Sequence, residues 1–128
     1  MNGTRNQQQQ EAFFSYFDRK IADCSQRETV LLKDERADEA VFEKIRANVY
    51  NIFKTIFTAA IKASKTHDSD AVSRFFLAKM EQIPESWRES YCKAKQHEDA
   101  EKMQIELIKL ETAEEIQSAF IHLWEEKQ

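Results

Sequence analysis

Four side chains that could cooperate in chemistry stand side by side at residues 67–70, His-Asp-Ser-Asp. A Ser-His-Asp triad needs its members to converge in space, with an oxyanion hole opposite. Adjacent residues entering a helix rarely meet that demand. Capping of a helix by Asp68 or Ser69 accounts for the whole stretch. Cys92 is the other candidate nucleophile. Arg88 and Lys95 lie on its helical side, with Lys93 and His97 close in sequence, and cationic neighbours lower a thiol pKa. The expectation for Cys92 is nevertheless an ordinary thiol. Cys24 falls on an apolar stripe and reads as buried and inert.

Metal chemistry in a helical protein commonly uses Glu-x-x-His pairs that project into the core. The residues three before His67, His97 and His122 are Ser64, Ala94 and Ala119, so that spacing does not occur. Neither an HExxH motif nor a calcium-binding loop is present. Gly3 is the only glycine, so neither a P-loop nor a GxGxxG turn can be built. No catalytic residue, metal or cofactor is therefore expected.

Charge gives a second kind of candidate. The net charge of −4 is uneven. Residues 44–67 carry five bases and no acid, whereas residues 98–128 carry nine acids and three bases. Lys54, Lys62 and Lys65 would form a basic face on one helix. Such a face can meet nucleic acid or a membrane surface. It can equally complement the acidic last helix, and solvated charge runs of this size are common. Nucleic-acid readers normally have a high pI. The pI here is about 5.5, so the expectation is no nucleic acid and no membrane.

The elements that must position these residues are helices. One glycine and one proline in 128 residues leave few places for sheets and tight turns. A chain rich in Ala, Glu, Lys, Gln, Leu and Ile favours helix nearly throughout. Apolar periodicity places helices at about 7–33, 38–65, 69–82, 84–96 and 99–126, with residues 1–6 expected to be disordered and Gln7–Gln10 a frayed helix start. Phe13, Phe17, Ile21, Cys24 and Leu31 line the first. The second shows a heptad-like seam of Ile45, Val49, Ile52, Ile56, Ala59 and Ala63, widened by Phe42, Phe53, Phe57 and Ala60. Met103, Leu107, Leu110, Ile116, Phe120 and Leu123 line the last. Asp38 and Asp99 are plausible N-caps. Pro84 disfavours helical angles at Ile83 and suits the first position of a new helix.

Segments of nearly equal length with short links predict a single all-α domain, an antiparallel up-down bundle of four long segments with the third broken at Pro84. A competing arrangement is an array of short helical hairpins. The fragment YCKAKQHEDAEKM resembles the turn between two tetratricopeptide helices, although no second copy of it occurs.

The functional expectation is a small cytoplasmic protein that acts by protein–protein contact, as an adaptor, regulatory or immunity-type bundle, with a dimer as the expected self-assembly. Two lone cysteines and the lack of a long apolar run underlie the compartment. Trp87 and Tyr91, one turn apart beyond Pro84, and Trp124 in the last turn are the candidate contacts, since aromatics carry interface energy. Each has a plain alternative as core packing at a bend or a bundle end. The alternatives to partner binding are an apolar ligand pocket at the break near Trp87, a tetratricopeptide-like adaptor, and an enzyme using Cys92.

Overall fold

The computed structural model describes residues 2–64 and 69–125, with side chains from residue 6 onward. Five helices follow one another: α1 Asn2–Lys33, α2 Ala37–Ala63, α3 Ser69–Gln82, α4 Pro84–Gln96 and α5 Ala100–Glu125. No strand occurs among the described residues. The first helix starts at Asn2, ahead of the expected Gln7. Its polar opening turns are partly packed: Asn6 and Gln9 are buried. The Gln9 amide donates to the Leu123 carbonyl at 3.4 Å and accepts from Ser69 at 3.5 Å, tying three helices together.

Cross-helix contacts fix the topology. Arg27 meets Glu43 and Lys54 meets Asp18, so α1 and α2 are antiparallel. Tyr50 meets Glu115 and Phe57 meets Trp124, so α2 and α5 run parallel. Phe76 meets Phe57 and Phe120, and Trp87 further along meets Phe53 and Lys109, which sets the α3–α4 segment antiparallel to both. The result is the up-down bundle, with α2 packed against α1, α3 and α5 and with α4 lying chiefly on α5.

The third segment is bent rather than broken. Ile83 keeps helical angles (φ −63°, ψ −44°), and its N–H still bonds the Lys79 carbonyl at 2.9 Å. The preference of a pre-proline residue for extended angles is overridden here, because helix runs on at both sides. Pro84 removes one backbone donor, which is enough to kink the segment. Arg88 turns back to donate to the Glu81 carbonyl at 3.3 Å. Helices α3 and α4 are thus one kinked segment, and the fragment YCKAKQHEDAEKM forms the turn between α4 and α5.

The other links use no glycine. At the end of α1, Glu35 takes a left-handed conformation (φ 60°); its N–H bonds the Leu32 carbonyl, and that of Arg36 bonds Leu31. After α4, Glu98 does the same (φ 55°), with its own N–H on Lys95 and that of Asp99 on Ala94. Both are Schellman caps with Glu where Gly is usual. Asp99 then caps α5 by accepting from the Lys102 N–H at 3.1 Å, as its position predicts. Asp38 does not cap α2. The helix begins one residue earlier, and Asp38 with Glu39 occupies its first turn, where negative charge complements the dipole.

Aromatic rings dominate the core. Phe13 stands at its centre, within 6.2 Å of the rings of Tyr16, Phe17, Phe57, Phe76, Phe120 and Trp124. The stripe of α2 is rotated from the expected seam. Val49, Tyr50, Phe53, Phe57 and Ala60 are buried, whereas Ile52 is 39% exposed and Ala63 lies outside. Rings bury more area than aliphatic side chains, so the phenylalanines take the centre and the isoleucines flank them. On α5 Leu107 is likewise 43% exposed, and Ile108, Thr112 and Ala113 face inward. The Thr112 hydroxyl is satisfied by the Ile108 carbonyl at 2.7 Å.

Candidate functional site

The turn at residues 34–36 folds α2 back along α1, with Glu35 midway between Arg27 and Glu43. That register brings the pair together. Arg27 Nε donates to Glu43 Oε1 at 2.9 Å, and Arg46 Nη1, one turn along α2, donates to Glu43 Oε2 at 2.6 Å. The Glu43 side chain is only 11% exposed. One shielded carboxylate therefore holds two guanidinium groups in fixed positions, a charge-assisted arrangement stronger than a neutral hydrogen bond. The hydrogen bond that Arg27 donates to Glu43 raises the Arg27 pKa further. Arg27 Nη2 also approaches Cys24 Sγ at 3.6 Å. Burial pushes the Cys24 thiol up despite that cation, so it stays protonated and unreactive at neutral pH.

Arg27, Glu43 and Arg46 form one wall of a groove of about 600 Å³ at the end of the bundle that carries the two glycine-free turns. Gln26, Val30 and Leu31 of α1, Glu39 and Phe42 of α2 and Gln104 of α5 complete it. Val30 is 52% exposed. Leu107 lies three residues beyond Gln104, on the same side of α5. Leu32 and Val41, on either side of the α1–α2 turn, are also exposed. Glu39 forms a two-pronged pair with Arg36, whose hydrogen bonds hold its carboxyl below the usual range. Arg27 and Arg46 thus share one carboxylate, and their side chains remain 53% and 34% exposed.

The residues singled out from the sequence lie elsewhere. Trp124 is a core side chain, 5% exposed, stacked on Phe120 at 4.3 Å. Trp87 is half-buried, with its edge on Phe53 at 6.2 Å and the Lys109 ammonium 5.9 Å from its ring. Lys109 also bonds the buried Glu106 at 3.2 Å. Tyr91 is half-buried a turn further on. Beside the kink, Met80, Pro84, Arg88 and Leu110 line a smaller hollow of about 380 Å³, formed without Trp87. Of the basic face, Lys54 is paired with Asp18 at 2.7 Å and Lys62 is exposed. Lys65, His67 and Asp68 lie outside the described residues. The complement to α2 comes first from α1, through Asp18; α5 contributes Glu115, which accepts from Tyr50 at 2.8 Å and pairs with Lys20 at 3.2 Å. Cys92 is exposed on α4 among Glu85, Arg88, Glu89 and Lys93. No group of three metal-ligating side chains gathers among the described residues. No helix among them is long and apolar enough to cross a membrane.

Sequence reasoning passed over the groove because its charges look like ordinary helix surface. The one available signal was the mirror relation of Arg27 and Glu43 about the turn, which a hairpin register implies. No protein-family model matches this chain, and neither a curated protein nor a solved structure matches it significantly.

Proposed function

We propose that this chain is a non-catalytic helical module of the cytoplasm that acts by binding another protein at the open end formed by α1, α2 and α5. The observation that carries the reading is the half-exposed apolar wall there, Val30 with Leu31 and Phe42, beside two arginines held by a shielded carboxylate. Apolar surface rimmed by polar groups is the usual signature of a contact site, and arginine is among the residues enriched in interfaces. A homodimer through the same face is the self-associating form of this reading. The exposed Cys92 and the buried Cys24 are both free thiols, in keeping with a reducing compartment.

Photo-cross-linking in the native host tests it. A photoreactive residue at Val30 or Leu107 should trap a specific partner, and one at Ile121, 38% exposed and remote from the groove, should not. Light scattering across a concentration series reports the dimeric form. Absence of both a trapped partner and self-association refutes the reading.

A further inference from the structure

Resting on that reading, we infer that the groove receives an acidic amphipathic helix of a partner protein, its apolar residues on Val30, Leu31 and Phe42 and its carboxylates on Arg27 and Arg46. Three observations lead there. The lining sets Arg27 and Arg46 beside Glu39 and Glu43; Glu43 is shielded and Glu39 is already paired with Arg36, whereas both guanidinium groups remain open to solvent. A guanidinium fork engages carboxylates through paired N–H donors. Its position is also set in advance, since the bonds of 2.9 and 2.6 Å to Glu43 hold both forks before any ligand arrives. Preorganisation of this kind lowers the ordering cost of binding.

The shape selects a helix over a small anion. Sites for small ligands enclose 70–90% of the molecule, yet Val30 and Arg27 are each about half exposed. A trough with such walls suits a helix laid across it, anchored by side chains one turn apart. Leu107 continues the apolar surface on the α5 side. A carboxylate placed beside those anchors would meet Arg46 or Arg27, so acidic and apolar residues must share one side of the incoming helix.

The probe is a displayed library of helix-forming peptides about four turns long, panned against the full chain. Selected peptides should be acidic and amphipathic, and their binding should weaken as salt rises. In amide NMR spectra they should shift Arg27, Val30, Phe42 and Arg46. Val30→Asp and Arg46→Gln should each weaken binding about tenfold or more, while Ile121→Asp changes it less than about twofold. Val30→Asp alters an exposed residue, so it reports binding even if Arg46→Gln perturbs the fold. Basic or uncharged selected peptides, or shifts centred elsewhere, overturn the inference. So does dodecanoate binding in the groove when no peptide is selected, or self-association that covers the same residues. A partner trapped at Val30 through a basic or uncharged segment leaves the partner-binding reading standing and removes the acidic helix.

Discussion

Glu35 and Glu98 occupy backbone positions that a glycine would fill without strain. A side chain in the left-handed region crowds its own carbonyl, at a cost of roughly 1 kcal/mol. Replacing either by Gly relieves that crowding but adds freedom to the unfolded chain. The net expectation for Glu98→Gly is a gain of about 0.5 kcal/mol or more, a rise of a few degrees in Tm. Glu98→Ala keeps a Cβ and should show no such gain. Thermal melts of the two variants separate the outcomes, and equal melts would mean that the turn is not left-handed. The scarcity of glycine was legible from the sequence and pointed correctly to helix. That two helices would nevertheless end in glycine-type caps was not legible, because nothing local distinguishes Glu35 from the acidic residues around it.

Tyr16 and Tyr50 set a pH dependence. Burial is the first cause raising both phenols above their ordinary value of 10.0, and at Tyr50 the hydrogen bond donated to Glu115 adds to it. Below pH 10 both states hold these protons, so the contribution is complete there. Above it the unfolded chain loses them first and the folded chain keeps them, so stability falls as pH rises. The slope is about 1.4 kcal/mol per pH unit for each tyrosine. Urea titrations between pH 9 and 11 should show this fall, and Tyr50→Phe should remove about half of the tyrosine part. An unchanged slope in Tyr50→Phe would show that its phenol ionises freely in the folded protein.

At the scale of elements, the placement of helices was readable and their rotation was not. Ile45, Val49, Ile52, Ile56 and Ala59 have seam spacing, yet the side chains that reach the centre are Val49, Phe53 and Phe57. A helix with apolar residues around more than half its circumference has no unique inward face by pattern alone. Which side wins depends on what α1, α3 and α5 offer, and they offer Phe13, Phe76 and Phe120. The consequence can be measured by an adjacent pair of substitutions. Ile52→Lys, at a position 39% exposed, should change stability by less than about 1 kcal/mol. Phe53→Ala, at a fully buried position, should cost about 3–5 kcal/mol. Chemical denaturation of both checks the orientation, and a cost at Ile52 equal to or above that at Phe53 would place the isoleucine seam inward. Pro84 follows the same logic: its position was informative, but whether it ends a helix or bends one is settled by packing on α5.

Across the whole molecule, the large, fully buried side chains gather towards one end. On α1 none lies beyond Cys24, on α2 none precedes Val49, and on α5 none precedes Ile116. The opposite end is held by the Arg27–Glu43–Arg46 cluster, the two turns and partly exposed aliphatics. Ion pairs with solvent-exposed partners contribute little beside a buried ring. Local stability should therefore grade along the bundle axis, with the groove in its weaker half. Native-state hydrogen exchange can measure the gradient. Amides at 26–33 and 40–46 should open with free energies at least about 2 kcal/mol below those at 13–17, 53–60 and 116–120. Helical hydrogen bonding is the same in both sets, so the difference isolates tertiary packing. Saturating a groove-binding helix should raise protection in the weaker set first, because a ligand stabilises the states that bind it. Uniform protection along α1 and α2 would mean that the polar end is as firmly packed as the aromatic one.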